Sequence, residues 1–122
     1  MKIPIAQALD LDLVGSYTLN ADDGTRNANS ASFDILHAPA DHLTWATQPT
    51  TNTVAGVDLV PSVEVRDAFE NVVTTGAAST ALITLSINTQ PGGATLAGDL
   101  DINAVAGVAT WTGTEALDLD LV

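Results

Sequence analysis

The chain has 122 residues, room for one domain but not for two complete ones. Fifteen acidic side chains stand against three basic ones, a formal charge of −12, while 46% of residues are hydrophobic and 4% aromatic. That balance excludes a phosphate-binding nucleic-acid surface, because Lys2, Arg26 and Arg66 cannot neutralise a polyanion; the apolar share also excludes wholesale disorder.

Cysteine is absent, so disulfides, thiolate catalysis and cysteine-based zinc sites are excluded. No apolar run approaches the roughly 20 residues that span a bilayer, and membrane insertion is not expected. The first residues, Met1 to Gln7, are too short and too weakly apolar for a signal peptide, so export would require a leader ahead of them. Low lysine, abundant Thr and Asp and no thiols suit a surface protein made in long copies.

Along the chain, apolar residues alternate with period two and no helical stripe is present. Tyr17 and Leu19 open the first such run, and Phe33 and Ile35 mark the second. Asp22-Asp23-Gly24 between them has the composition of a hairpin end. Leu43 and Trp45 begin a third run, stopped by Pro49, and Val63 and Val65 alternate with Glu64 and Arg66. A turn over Asp67-Ala68-Phe69-Glu70-Asn71 leads to Val72-Val73. Ala81, Ile83, Leu85 and Ile87 share one strand face, and Pro91-Gly92-Gly93 ends that strand. Leu100 and Ile102 follow, then Ala106-Gly107 and a strand from Val108 to Trp111. Short strands rich in Thr and Val, with turns about every 8–12 residues, predict an all-β antiparallel sandwich or barrel.

One segment occurs twice. Ala8-Leu9-Asp10-Leu11-Asp12-Leu13-Val14 returns unchanged as Ala116-Leu117-Asp118-Leu119-Asp120-Leu121-Val122, 108 residues later. That offset is about one small β-sandwich. The repeat is either a duplicated acidic strand with no deeper meaning or the mark of a chain that is a window on, or a copy of, a tandem array opened inside one unit. In the second case the chain would begin and end at equivalent places in successive units.

From residue 43 to 111 the order Leu43-Thr44-Trp45, Gln48-Pro49, Val54-Ala55-Gly56, Pro61 to Val65, Asp67 to Val73, Pro91-Gly92-Gly93 and Gly107-Val108-Ala109-Thr110-Trp111 resembles bacterial immunoglobulin-like repeats. These repeats occur in very large surface and adhesin-type proteins. Gly15-Ser16-Tyr17-Thr18-Leu19 and Ser32-Phe33-Asp34-Ile35 are similar to that family's last two strands, yet here they come first. The resemblance implies an immunoglobulin-like antiparallel β-sandwich in permuted order. Residues 1–36 would supply its last two strands, 37–42 a linker, and 43–122 a repeat lacking those two strands.

Neither part is expected to be complete alone. An isolated hairpin is marginal, and the sandwich would lack a neighbour beside Val72. The eight steps from Ile35 to Leu43 reach at most about 26–29 Å, so closure within one chain is strained. Closure between chains has no such limit, and strand addition of this head-to-tail kind propagates as a filament. Leu9, Leu11, Leu13, Tyr17, Leu19, Phe33, Ile35, Val72, Leu117, Leu119 and Leu121 are the expected assembly residues. Alternation puts the leucines of each heptapeptide on one face and its aspartates on the other. The two copies would share one structural slot, which only one can fill at a time.

No catalytic set and no cofactor-binding motif stands out. His37, His42 and Asp41 flank the linker at loop spacing, where they are either a solvated segment or a weak metal site. Asp10/Asp12, Asp99/Asp101 and Asp118/Asp120 are i, i+2 pairs that make anionic patches on strands. They are either a solvent face or oxygen ligands for calcium, as are Asp22 and Asp23 in the first turn. Trp45 and Trp111 are either core or edge fillers or platforms for a sugar ring. Tyr17 resembles the corner tyrosine of sandwiches, whose hydroxyl ties a loop to the backbone.

The sequence therefore points to a non-enzymatic structural subunit of an extracellular fibre or cell-surface array, whose partner is itself. The rivals are an adhesin-type module that recognises glycan or another cell surface, and an inert spacer domain.

Overall fold

The computed structural model describes residues 9–90 and 92–119, which fall into two compact units, Met1–His37 and Ala38–Val122. Among the described residues the chain is mostly β, with eleven short strands in several small antiparallel sheets and one 3₁₀ turn, Ala77–Thr80. No helix among them is long and apolar enough to cross a membrane.

The first unit is a long hairpin. Strand β1 (Gly15–Tyr17) pairs antiparallel with β4 (Phe33–Ile35), and β2 (Asn20–Asp22) pairs with β3 (Asn27–Asn29). Ser30 joins the two ladders: its amide donates to the Leu19 carbonyl at 2.7 Å, and its hydroxyl accepts from the Leu19 amide at 2.8 Å. Tyr17 and Phe33 stand opposite each other with ring centroids 6.1 Å apart. The Tyr17 hydroxyl donates to the Leu13 carbonyl at 2.7 Å, tying the segment before β1 to the hairpin. The turn is closed by Asp23, whose Oδ1 accepts from the Thr25 and Arg26 amides at 2.9 and 2.6 Å.

The second unit opens with β5 (Ala40–Thr47), the edge of a three-stranded sheet in the order β10–β6–β5, where β6 is Ser62–Asp67 and β10 is Val108–Thr110. Residues 40–42, which the sequence suggests belong to a linker, are therefore the start of a strand. They pair with the end of β6 at Arg66 and Asp67. β7 (Leu82–Thr84) pairs with β9 (Asp101–Asn103), and β8 (Leu96–Ala97) pairs with β11 (Asp118–Leu119).

The core comprises Val63, Val65, Val73, Ile83, Ala104, Ala109, Trp111 and Leu117. Burial alternates along β6 and along 81–87, as a strand with one inward face requires. Trp111 is fully buried and donates its indole N–H to the Asp99 carbonyl at 2.8 Å, which satisfies its polar end.

Val72, beside which the sequence predicts a missing neighbour, has one side taken by β6: it bridges Arg66, and the Val73 amide donates to the Val65 carbonyl at 2.8 Å. The Gly107 turn packs so closely that a Cβ on Gly107 would lie 2.4 Å from the Val73 carbonyl oxygen. Local pairing after the Asp67 turn closes that side. Among the described residues only β6 has a partner strand on both sides, so β5, β10 and both strands of each two-stranded sheet, β7 included, are edges.

Candidate functional site

The Asp67 turn sets where the second unit begins. Its carboxylate accepts from the amides of Ala38, Phe69 and Asn71 at 2.9, 2.9 and 2.8 Å and from Asn71 Nδ2 at 3.0 Å. Burial pushes this carboxyl up, but the donors outweigh burial and hold it down at about 2. Next to it, His42 on β5 lies between two carboxylates, with Nδ1 2.9 Å from Asp41 and Nε2 2.8 Å from Glu70. The hydrogen bond to Asp41 is the main cause that raises the imidazole above its ordinary value. His42 thus fastens β5 to the Asp67 turn.

Beside this anchored end, β5 leaves apolar groups uncovered. Leu43, Trp45, Val63, Ile83 and Leu85 line a cleft of about 220 Å³ between β5–β6 and β7. Trp45 remains 41% exposed and Leu82, on the edge strand β7, 57% exposed. A second hollow of about 190 Å³ shares Trp45, Leu85 and Ser86 with the first and is also lined by Leu59, Leu96 and Leu117. Together they form one apolar groove from β7 to the β8–β11 ladder.

The two copies of the heptapeptide meet different fates. In the second copy Leu117 is 1% exposed, its carbonyl accepts from the Leu59 amide at 2.5 Å, and Leu119 stands opposite Leu96 in the ladder. The Leu119 carbonyl accepts from the Gly56 amide at 2.7 Å. In the first copy Leu9 is 92% exposed, and Leu11 and Leu13 are also exposed. Leu9 and Leu11 join Leu19, Phe33 and Ile35 around a hollow of about 210 Å³ on the hairpin. Tyr17, Phe33 and Ile35 are half-buried within their own unit. Asp120 and Leu121 lie outside the described residues.

The carboxylates considered for calcium are not gathered. Asp23 is engaged by Arg26, whose guanidinium lies 2.8 Å from Oδ2, and the turn's donors hold its carboxyl below the usual range. Asp22 accepts from the Gly24 amide at 2.6 Å. Asp101 lies on the β7–β9 ladder, Asp118 on the β8–β11 ladder, and Asp99 just before β9. Among the described residues no group of three or more acidic or histidine side chains could hold a metal ion, the set His37, His42 and Asp41 included. The sequence reading did not find Glu70 as a partner of His42. Only pairing of β5 with β6 brings the turn beside that histidine, although Asp67 to Asn71 already carried turn composition.

Compared with known proteins, the chain matches no family model, no curated protein and no solved structure.

Proposed function

We propose that this chain is a structural subunit of an extracellular fibre or cell-surface array, with an immunoglobulin-like sandwich completed head to tail by strands from a neighbouring copy. The observation that carries this reading is one sequence in two environments: Leu117 packed into the core, and Leu9, its counterpart 108 residues earlier, held out to solvent. The exposed apolar side of the hairpin and the uncovered groove beside β5 and β7 support it, because each lacks what the other offers. A contact of this type is heterologous, so it extends as a filament.

Magnitudes indicate reversible assembly. Fully burying a large apolar side chain is worth about 1.5–3 kcal/mol. Covering the half-exposed Leu19, Phe33, Ile35, Trp45 and Leu85 then offers roughly 4–8 kcal/mol, against an association cost of about 4–15 kcal/mol. The filament should therefore depend on concentration.

Trp45 favours a second reading, an adhesin-type module that stacks a sugar on its half-exposed indole. The cleft beside it carries the hydroxyls of Thr44, Thr84 and Ser86, but Leu43, Val63, Ile83 and Leu85 make most of its wall apolar, which favours strand docking. Electron microscopy and light scattering across a dilution series test the proposal. Filaments that shorten on dilution support it, and a monodisperse monomer at every concentration rejects it.

A further inference from the structure

We infer that the acceptor site for a second copy is the slot now filled by Leu117-Asp118-Leu119, and that the incoming Leu9-Asp10-Leu11 displaces this strand residue for residue. This rests on the head-to-tail reading and specifies where the contact forms. The two segments are identical, so Leu9 fits the cavity that Leu117 fills and Leu11 fits beside Leu96. The backbone partners are indifferent to which copy arrives: the amides of Leu59 and Gly56 meet the same carbonyls, 117 or 9 and 119 or 11. The strand released becomes as exposed as Leu9 is now, so the exchange at the slot is nearly balanced. The slot therefore sets register, and the driving force lies further along the donor.

That force has a place. The slot opens through Leu117 and Leu96 onto the hollow that also contains Trp45 and Leu85, and from there onto the cleft beside β7. A donor seated by Leu9 and Leu11 has its β1 only a few residues further on. Leu19, Phe33 and Ile35 are the apolar groups it carries to cover Trp45 and Leu85.

The absence of cysteine makes the test clean, since any disulfide must join the introduced residues. Leu119 stands directly opposite Leu96, so Leu11 of a donor would stand there too. One chain carrying Leu11→Cys is mixed with one carrying Leu96→Cys, assembled and oxidised. A Leu96→Cys/Leu119→Cys chain serves as the geometric control by closing within itself. The expected product is a mixed disulfide dimer of twice the 12.5 kDa chain mass. Leu9→Asp, at a residue exposed in the isolated chain, should lower the assembled fraction at least tenfold without shifting the melting temperature measured at a dilution where both proteins are monomeric. Assembly by light scattering with no mixed disulfide overturns the slot exchange and leaves the fibre reading standing. A Leu11→Cys/Leu96→Cys chain that closes only within itself overturns the second copy as occupant. No assembly of any variant, wild type included, overturns both.

Discussion

The carboxylate of Asp67 accepts the backbone amide of Ala38 at 2.9 Å, joining the end of β6 to the residue where the second unit begins. Three further donors from Phe69 and Asn71 converge on the same carboxylate, and Asp67 is fully buried. An acceptor-only group with four donors is charge-satisfied without a cation.

Replacing it should expose that arrangement. Asp67→Ala leaves buried amide donors without an acceptor, and the melting temperature should fall by roughly 10 °C or more. Because the folded carboxyl sits at about 2, below its ordinary 3.8, its stabilisation is present above pH 3.8 and is lost as pH falls toward 2. Thermal melts between pH 5 and 2 should show that loss in the wild type, and a flatter profile in Asp67→Asn. Parallel profiles for the two proteins would count against the carboxylate as the acid-sensitive group.

His42 works in the opposite direction. A neutral imidazole has one N–H donor, whereas the two carboxylates at 2.9 and 2.8 Å call for two. Its folded value is raised above 6.5, so its contribution is complete below pH 6.5 and fades as pH rises through the raised value. His42→Gln should therefore lower the melting temperature at pH 5.5 by a few degrees and by less at pH 8.5. Equal losses at both pH values would mean that the charged form is not what binds Asp41 and Glu70.

Gly98 tests the slot from the side of its floor. Its φ of +106° disfavours any side chain, and an added Cβ would lie 2.3 Å from the Ala116 carbonyl oxygen. Gly98→Ala must push the Ala116–Leu119 backbone away from β8. Circular dichroism melts should show a drop of several degrees, whereas Gly56→Ala, also at positive φ but with nothing within 4 Å, should lose less. Similar losses at both sites would show that conformational strain alone, not crowding of the slot, sets the effect.

Charge should govern assembly through screening. At −12 per copy, neighbouring subunits repel, and salt shortens the range of that repulsion to about 3 Å at 1 M. Sodium chloride should raise the assembled fraction severalfold. Calcium at equal ionic strength should do no more than sodium, because Asp23 is already held by Arg26. A stabilising shift from calcium that a chelator reverses would restore the aspartate pairs as ligands.

Much of the β-structure was legible in the order of residues. The inward face of Ala81, Ile83, Leu85 and Ile87 follows from period-two alternation, because successive side chains on a strand point to opposite sides. The Asp22-Asp23-Gly24 turn follows from local chemistry, since aspartate oxygens can accept nearby amides without help from the rest of the chain. Tyr17 bonds only four residues back, to Leu13. Each of these interactions closes over a short stretch of sequence.

What depends on distant partners was decided only by the tertiary structure. Identity of the two heptapeptides could not say which copy would be packed, because the same leucines are equally apolar in both. Leu117 is buried because Leu59, Leu96 and Trp111 gather around its slot, while Leu9 stays 92% exposed at the rim of the hairpin's hollow. The Asp67 turn returns Val72 and Val73 to β6 for the same reason, a pairing that alternation alone cannot reveal. Local patterns specify which face of a strand is apolar; the contacts that form when the chain closes specify whether that face is covered.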